Sequence, residues 1–143
     1  MEIKYNSFYC THCFKDLNIS DKIILKIKST KRNELGLVML SSKISNYESE
    51  TSKSITKKDN ELYEFYCPLC SKCLNLESSE MKLVKLYMKD NISKNKYEIY
   101  FSGIFGEHCT FIIKDFRLEY FGPHSHSYMD QLEKYKDYYE RHL

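Results

Sequence analysis

Apolar and polar residues alternate along much of this chain, which is the pattern of β-strands with one buried face. The alternation is clearest at residues 21–29, where Ile23, Leu25 and Ile27 fall on one face and lysines on the other. A second apolar segment follows at residues 35–40, after a short polar turn. Two such segments joined by a polar turn predict a β-hairpin in the first third of the chain.

The same alternation predicts strands further along the chain. Residues 41–60 are instead rich in Ser, Thr and Lys, which predicts an exposed loop. The remaining strands are predicted at residues 1–9, 61–66, 81–89, 97–102, 109–114 and 116–121, the last four as two hairpins.

The period of the pattern changes near the C-terminus. Met129, Leu132, Tyr135 and Tyr139 recur at spacings of three and four residues, and Ser127 is a suitable N-cap. These residues predict an amphipathic helix that runs to the end of the chain. We therefore expect an α+β fold of mainly antiparallel β-hairpins with a C-terminal helix, and no internal repeat beyond the cysteine pairs described next.

Four of the six cysteines fall in two Cys-x-x-Cys pairs, each preceded by a strand that ends in Phe-Tyr. A turn with two thiolates three positions apart supplies half of a tetrahedral zinc site, and two such turns complete it. A redox-active pair or inert buried thiols are the alternative interpretations. The predicted ligands of one structural zinc ion are Cys10, Cys13, Cys67 and Cys70.

These two motifs, Phe8 to Cys13 and Phe65 to Cys70, resemble the zinc-ribbon superfamily. In that superfamily two such turns, at the ends of β-hairpins, clasp one zinc ion. The resemblance covers only the turns and their flanking strands, and 53 residues separate Cys13 from Cys67. It implies a zinc-ribbon-like module with an inserted hairpin and polar loop at residues 1–80. A β-meander and the helix would form residues 81–143, packed with the module as one domain.

The other cysteines and the histidines give no defined site. Cys73 and Cys109 are predicted to be bystander thiols. His108 cannot serve as a base for Cys109, since neighbours on a strand face opposite sides. His124 and His126 lie in a loop and would need further metal ligands that the sequence does not identify. The roles of all five residues stay open.

The charge of the chain is nearly balanced. Lys and Arg number 22 against 20 Asp and Glu, for a formal net charge of +2. A dedicated DNA-binding domain has a stronger basic bias. A local basic group nevertheless lies on the predicted first hairpin, at Lys22, Lys26, Lys28, Lys31 and Arg32.

The location of the protein is predicted from what the sequence does not contain. Its start has no apolar stretch of about 7–15 residues, as a signal peptide would. No segment approaches about 20 consecutive apolar residues. We expect a cytoplasmic protein without a membrane partner. In that reducing compartment, paired cysteines indicate metal or redox chemistry rather than disulfides.

No motif in the chain identifies a reaction, because a P-loop, a dinucleotide-binding turn and a His-Glu-x-x-His helix are all missing. We expect a small intracellular zinc-binding protein that acts as an adaptor with a protein partner. A nucleic-acid-binding zinc ribbon that uses the basic hairpin is the alternative. A thiol- or metal-dependent enzyme comes third. The biological process and the oligomeric state stay open.

Overall fold

Ten β-strands form two antiparallel sheets in the part of the chain that the structure describes. The structure is a computed structural model, and it describes residues 6–76, 82–114 and 117–128. The strands are β1 (Ser7–Tyr9), β2 (Asn18–Ile19), β3 (Lys22–Ser29), β4 (Glu34–Ser41), β5 (Ser49–Thr51), β6 (Tyr63–Tyr66), β7 (Leu83–Lys89), β8 (Lys96–Ser102), β9 (Thr110–Lys114) and β10 (Arg117–Phe121).

The first sheet has the strand order β1-β7-β8-β9-β10. In the second sheet the order is β2-β3-β4-β5, and β6 pairs with β3. The predicted hairpin of β3 and β4 is confirmed, and so are the pairings of β7 with β8 and of β9 with β10. All of these pairings are antiparallel, in agreement with the predicted class of sheet.

The prediction of an exposed loop at residues 41–60 is partly wrong. Its segment Ser49–Thr51 is strand β5, which pairs with the free edge of β4. Ile55, also within this stretch, is buried in the core. Polar residues form this strand because an edge strand has one side exposed to solvent, so its composition carries no apolar alternation.

The helical part of the predicted α+β class is not shown. The only helix among the described residues is a 3₁₀ helix at Ser125–Ser127. The predicted C-terminal helix, with Met129, Leu132, Tyr135 and Tyr139, lies outside the described residues. The described residues also include no helix that is long and apolar enough to cross a membrane.

The inner faces of the two sheets share one core. Leu25 of β3 and Leu86 of β7 are among its most buried side chains, as the alternation along each strand predicts. A second cluster lies on the other face of the first sheet, where Tyr128 covers it just after the 3₁₀ helix. This second cluster contains Leu83, Tyr100, Cys109, Phe111 and Tyr128.

Two segments of the chain are structural repeats, which we call repeat 1 (residues 6–51) and repeat 2 (residues 63–112). Residues 8–18 and 65–75 are identical at seven of eleven positions, in the shared pattern Phe-Tyr-Cys-x-x-Cys-x-Lys-x-Leu-Asn. The expectation of no internal repeat beyond the cysteine pairs was therefore wrong.

The strand registers extend this repeat well beyond the cysteines. From β3 onward each residue of repeat 1 has its counterpart 61 positions later, as the pairings show: Lys26 faces Leu37 and Tyr87 faces Glu98. In the same way, the pair of Val38 and Thr51 recurs 61 positions later as the pair of Ile99 and Ile112. Sequence similarity is slight in these strands, so the repeat is visible there only in the pairing.

The repeats exchange their first strands. Strand β1 of repeat 1 pairs with β7 of repeat 2, where Phe8 faces Met88. Strand β6 of repeat 2 pairs with β3 of repeat 1, where Phe65 faces Ile27. The two registers are equivalent, so the exchange is reciprocal, as across a twofold axis. Each sheet therefore contains strands from both repeats, and neither repeat completes a sheet alone.

Candidate metal centre

The first cysteine turn follows directly on strand β1. The Phe14 N–H donates to the Cys10 carbonyl at 3.0 Å, and the Cys10 N–H donates to the Lys15 carbonyl at 3.2 Å. Phe14 has a positive φ of 60°. These contacts close a tight turn that presents the side chains of Cys10 and Cys13 on one side.

The second turn has the same backbone geometry after strand β6. The Ser71 N–H donates to the Cys67 carbonyl at 2.9 Å, and the Cys67 N–H donates to the Lys72 carbonyl at 3.0 Å. Ser71 has a φ of 63°, which matches its counterpart Phe14. The two turns are thus the same local structure built twice.

The four predicted ligands come together between the two turns. The sulfur atoms of Cys10 and Cys70 are 3.7 Å apart, and those of Cys13 and Cys67 are 3.8 Å apart. All four sulfurs lie within 4.8 Å of one another. A tetrahedral zinc ion with Zn–S bonds of about 2.3 Å requires S–S separations of about 3.8 Å. The group can hold one metal ion, and its spacing and all-sulfur chemistry fit zinc.

The first cysteine of each turn, Cys10 or Cys67, has its sulfur hydrogen-bonded to the backbone of its own turn. Its sulfur accepts two backbone N–H groups: His12 at 3.3 Å and Cys13 at 3.5 Å for Cys10, and the equivalent pair for Cys67. Burial nevertheless raises the pKa of Cys10 to about 12 and also raises the pKa of Cys67. A cation bound by these sulfurs would favour their thiolate forms.

The second cysteine of the second turn differs in this respect. The Lys72 N–H lowers the pKa of Cys70 more than burial raises it. Within the four-sulfur group, Cys10 and Cys67 have no exposed surface, whereas Cys13 and Cys70 are half-buried. The centre is therefore buried on the side of Cys10 and Cys67 and partly exposed on the side of Cys13 and Cys70.

Two asparagines hold the turns, and the sequence analysis did not identify them. The side-chain oxygen of Asn18 accepts the Phe8 N–H at 2.7 Å, and its amide donates to the Asn6 carbonyl at 2.9 Å. Asn75 makes the equivalent bonds to Phe65 and Tyr63. The repeated Lys-x-Leu-Asn after each pair was the signal that could have found them.

The neighbouring candidates lie outside the four-sulfur group. Cys73 is exposed, and its sulfur is 3.8 Å from the Asn75 side-chain oxygen. The ring of His12 contacts the Cys73 carbonyl at 3.2 Å rather than the metal position. Neither residue completes the set, so four cysteines remain the ligands that the geometry supports.

The remaining candidates lie away from the turns. Cys109 is buried, and burial raises its pKa to about 12. The His108 ring stacks on Tyr47, and the His108 N–H donates to the His124 side chain at 2.8 Å. The ring of His126 lies near Tyr120. None of these histidines meets a cysteine sulfur in the described contacts.

Comparison of the chain with protein-family models, with curated proteins and with solved structures finds no match. The resemblance to zinc ribbons is thus supported only by the four-cysteine group in a mainly β structure, and no family is assigned.

Proposed function

We propose that this protein is a binding module whose fold is held together by one structural zinc ion. The observation that carries the proposal is the position of the four cysteines. Each Cys-x-x-Cys pair follows a strand that belongs to the sheet of the other repeat. A metal bound by both pairs therefore links the two sheets at the point where the repeats exchange strands.

The ligand set supports a structural rather than a catalytic metal. Four thiolates fill a tetrahedral site and leave no position for a substrate or a water molecule. Burial of Cys10 and Cys67 also keeps solvent from the inner side of the site. The free energy of metal binding then contributes to folding.

We propose a protein as the binding partner, through the outer face of the second sheet. Leu35 and Leu37 of β4 are 52% and 44% exposed there. They face Lys28 and Lys26 across the β3–β4 ladder. Exposed leucines beside lysine side chains suit a partner segment that offers apolar and acidic residues.

Nucleic acid is the second candidate, because Lys22, Lys26 and Lys28 share this outer face. The group of free basic side chains on this hairpin is smaller than the sequence of the chain predicts. Arg32 pairs with Glu34 and Glu61, so its guanidinium is not free for a phosphate. The exposed leucines therefore favour protein over nucleic acid.

A thiol enzyme has little support. Among the described residues, no histidine ring is in hydrogen-bond contact with the sulfur of the exposed thiol, Cys73, and His12 reaches only its carbonyl. Cys109 is buried, with a pKa raised to about 12, which opposes nucleophilic use.

The metal part of the proposal is tested by elemental analysis and by chelation of the purified protein. We expect about one zinc per chain, and loss of β-sheet circular dichroism when a strong chelator removes it. Protein that contains no zinc, or that keeps its fold and its melting temperature after complete removal, contradicts a structural role.

The partner is tested by quantitative capture of interacting proteins. A Leu35→Ser, Leu37→Ser variant should lose the proteins that the parent retains, whereas Ile92→Ser, at a 94% exposed position in the β7–β8 turn, should keep them. The same preparations are titrated with single-stranded nucleic acid at several salt concentrations. Salt-sensitive binding that disappears in Lys26→Gln, Lys28→Gln would instead support the second candidate.

A further inference from the structure

A cavity of about 410 Å³ lies between the two sheets, separate from the four sulfurs. Protein interiors are normally filled, with few voids larger than a water molecule. Cavities of about 300–1,000 Å³ with mainly apolar walls are typical of small-molecule sites. The wall is built from counterpart residues of the two repeats: Phe8 with Phe65, Val38 with Ile99, and Leu40 with Phe101.

The cavity reaches the surface between two equivalent connections. These are residues 42–48, between β4 and β5, and residues 103–109, between β8 and β9. Tyr47 and His108 occupy counterpart positions in them, and their rings stack with centroids 4.7 Å apart and an interplanar angle of 1°. The opening of the cavity between these two connections, which we call the mouth, is therefore formed by both repeats, as the metal centre is.

The charged side chains of the lining all belong to connections between strands rather than to the strands themselves. The Glu107 carboxylate is half-buried, but it accepts the Ser102 hydroxyl at 2.9 Å. The Tyr47 hydroxyl accepts the Thr110 hydroxyl at 3.4 Å. The other charged residues of the lining are exposed and carry both signs: Lys43, Glu48, Lys57 and Asp59.

The arrangement of apolar and polar groups in the lining determines which kind of molecule would bind in the cavity. The deep wall consists of leucine, isoleucine, valine and phenylalanine side chains. Transfer of an apolar group from water to this wall is favourable. A charged group would meet both attraction and repulsion at the mouth, whereas an uncharged hydroxyl or carbonyl could bond to Tyr47 or Thr110. Water alone would find few partners along the apolar wall.

We infer that the cavity between the sheets is a binding site for an uncharged, mainly apolar small molecule. This function is independent of the proposed structural role of zinc and of the partner surface on the second sheet. It needs only the folded, metal-loaded protein.

The first test uses the uncharged fluorescent probe N-phenyl-1-naphthylamine with the zinc-loaded protein. We expect saturable enhancement of fluorescence with about one probe per chain. Decan-1-ol should displace the probe at lower concentration than decanoate, which has the same chain length and a negative charge. Lack of saturable binding, or equal displacement by the two competitors, would overturn the inference.

The second test fills the cavity from either sheet. Val38→Phe and Ile99→Phe, at counterpart positions, should each weaken probe binding by about tenfold or more, because the added rings occupy the space. Met39→Phe is the matched control, since Met39 is the next residue along β4 and faces the other side of the sheet. Equal probe affinity in all three variants would contradict the assignment of the site.

A third measurement does not depend on the folding of any variant. In the unmodified protein, nuclear Overhauser effects should connect the bound probe to the methyl groups of Val38, Leu40 and Ile99. Contacts confined to outer-face residues such as Leu35 and Leu37 would place the probe elsewhere and overturn the inference.

Discussion

Asn18 and Asn75 make the same pair of hydrogen bonds at the two cysteine turns, 57 residues apart in the chain. Each side chain bonds to the backbone of the strand that leads into its turn. Each turn is therefore fixed to its own strand by hydrogen bonds that do not involve a metal ion. A metal ion bound by both turns would hold one against the other.

Replacement of either asparagine should loosen its turn. Asn75→Ala leaves the Phe65 N–H without its partner, which costs about 1–3 kcal/mol in the free energy of unfolding. Asn18→Ala should cost a similar amount through Phe8. Asn95→Ala, at an exposed side chain, is the control and should change little. Urea denaturation of the zinc-loaded proteins measures all three, and equal stabilities would contradict the proposed role.

Loss of one ligand should matter far more than loss of a neighbouring thiol. Cys67→Ser should lose zinc and much of its fold, because structural zinc contributes on the order of 10 kcal/mol. Cys73→Ser makes the same chemical change six residues away, outside the four-sulfur group, and should keep both zinc and stability. Zinc content and melting temperature are the measurements, and a stable, zinc-containing Cys67→Ser protein would exclude this ligand set.

The six cysteines should differ in their rate of alkylation. In the zinc-loaded protein Cys73 should react first with iodoacetamide, since it is the exposed thiol. Cys109 should stay unmodified in the folded state, because burial raises its pKa to about 12. Chelation should then release the four ligand cysteines for labelling. Peptide mass spectrometry follows each site, and early labelling of Cys10 or Cys67 would argue against bound metal.

The ion pair of Arg32 and Glu61 should make stability depend on pH. Burial opposes ionisation of Glu61, but hydrogen bonds and the charge of Arg32 outweigh it and lower the pKa of this carboxyl group. Ser29 and Tyr63 also donate to it. A lowered folded pKa gives stability that is complete above the unfolded value of about 4.3 and is lost as pH falls through the folded pKa.

The variant Glu61→Gln should therefore be less stable than the parent at pH 7, with a difference that shrinks at about pH 3 to 4. Glu50→Gln, at an exposed position of β5, is the matched control. Melting temperatures measured across this pH range test the sign. A difference between parent and Glu61→Gln that stays constant from pH 7 to pH 3 would contradict the assignment.

Gly122 should tolerate no side chain. A Cβ atom there would lie 2.4 Å from both the His108 carbonyl oxygen and the Tyr47 hydroxyl, and its φ is +98°. Gly106 also has a positive φ, but the atoms nearest to a Cβ there belong to the Asp59 side chain, the closest at 3.1 Å. Gly122→Ala should thus lower the melting temperature clearly more than Gly106→Ala does, since both carry the backbone cost and only the first adds the clash. Equal effects would show that backbone strain alone is responsible.

Much of the local structure follows directly from the sequence. Alternation placed Ile23, Leu25 and Ile27 on one face, and all three are buried there. The two Cys-x-x-Cys spacings predicted turns whose sulfurs the structure brings within 4.8 Å. These features depend on short-range geometry. The alternation of side chains along a strand and the spacing of residues in a turn are determined by residues close together in the sequence.

The tertiary structure decided what depends on distant residues. The exchange of β1 and β6, the polar edge strand β5 and the stacking of Tyr47 on His108 have no local signature, because each depends on which segment lies alongside. The sequence shows the repeat only as a shared eleven-residue pattern. It does not show how far the repeat extends, because strand pairing constrains hydrogen bonds and burial rather than residue identity. The sequence alone determined strands, turns and four cysteines that can hold a metal ion, and only the packing of the two sheets determined the cavity between them.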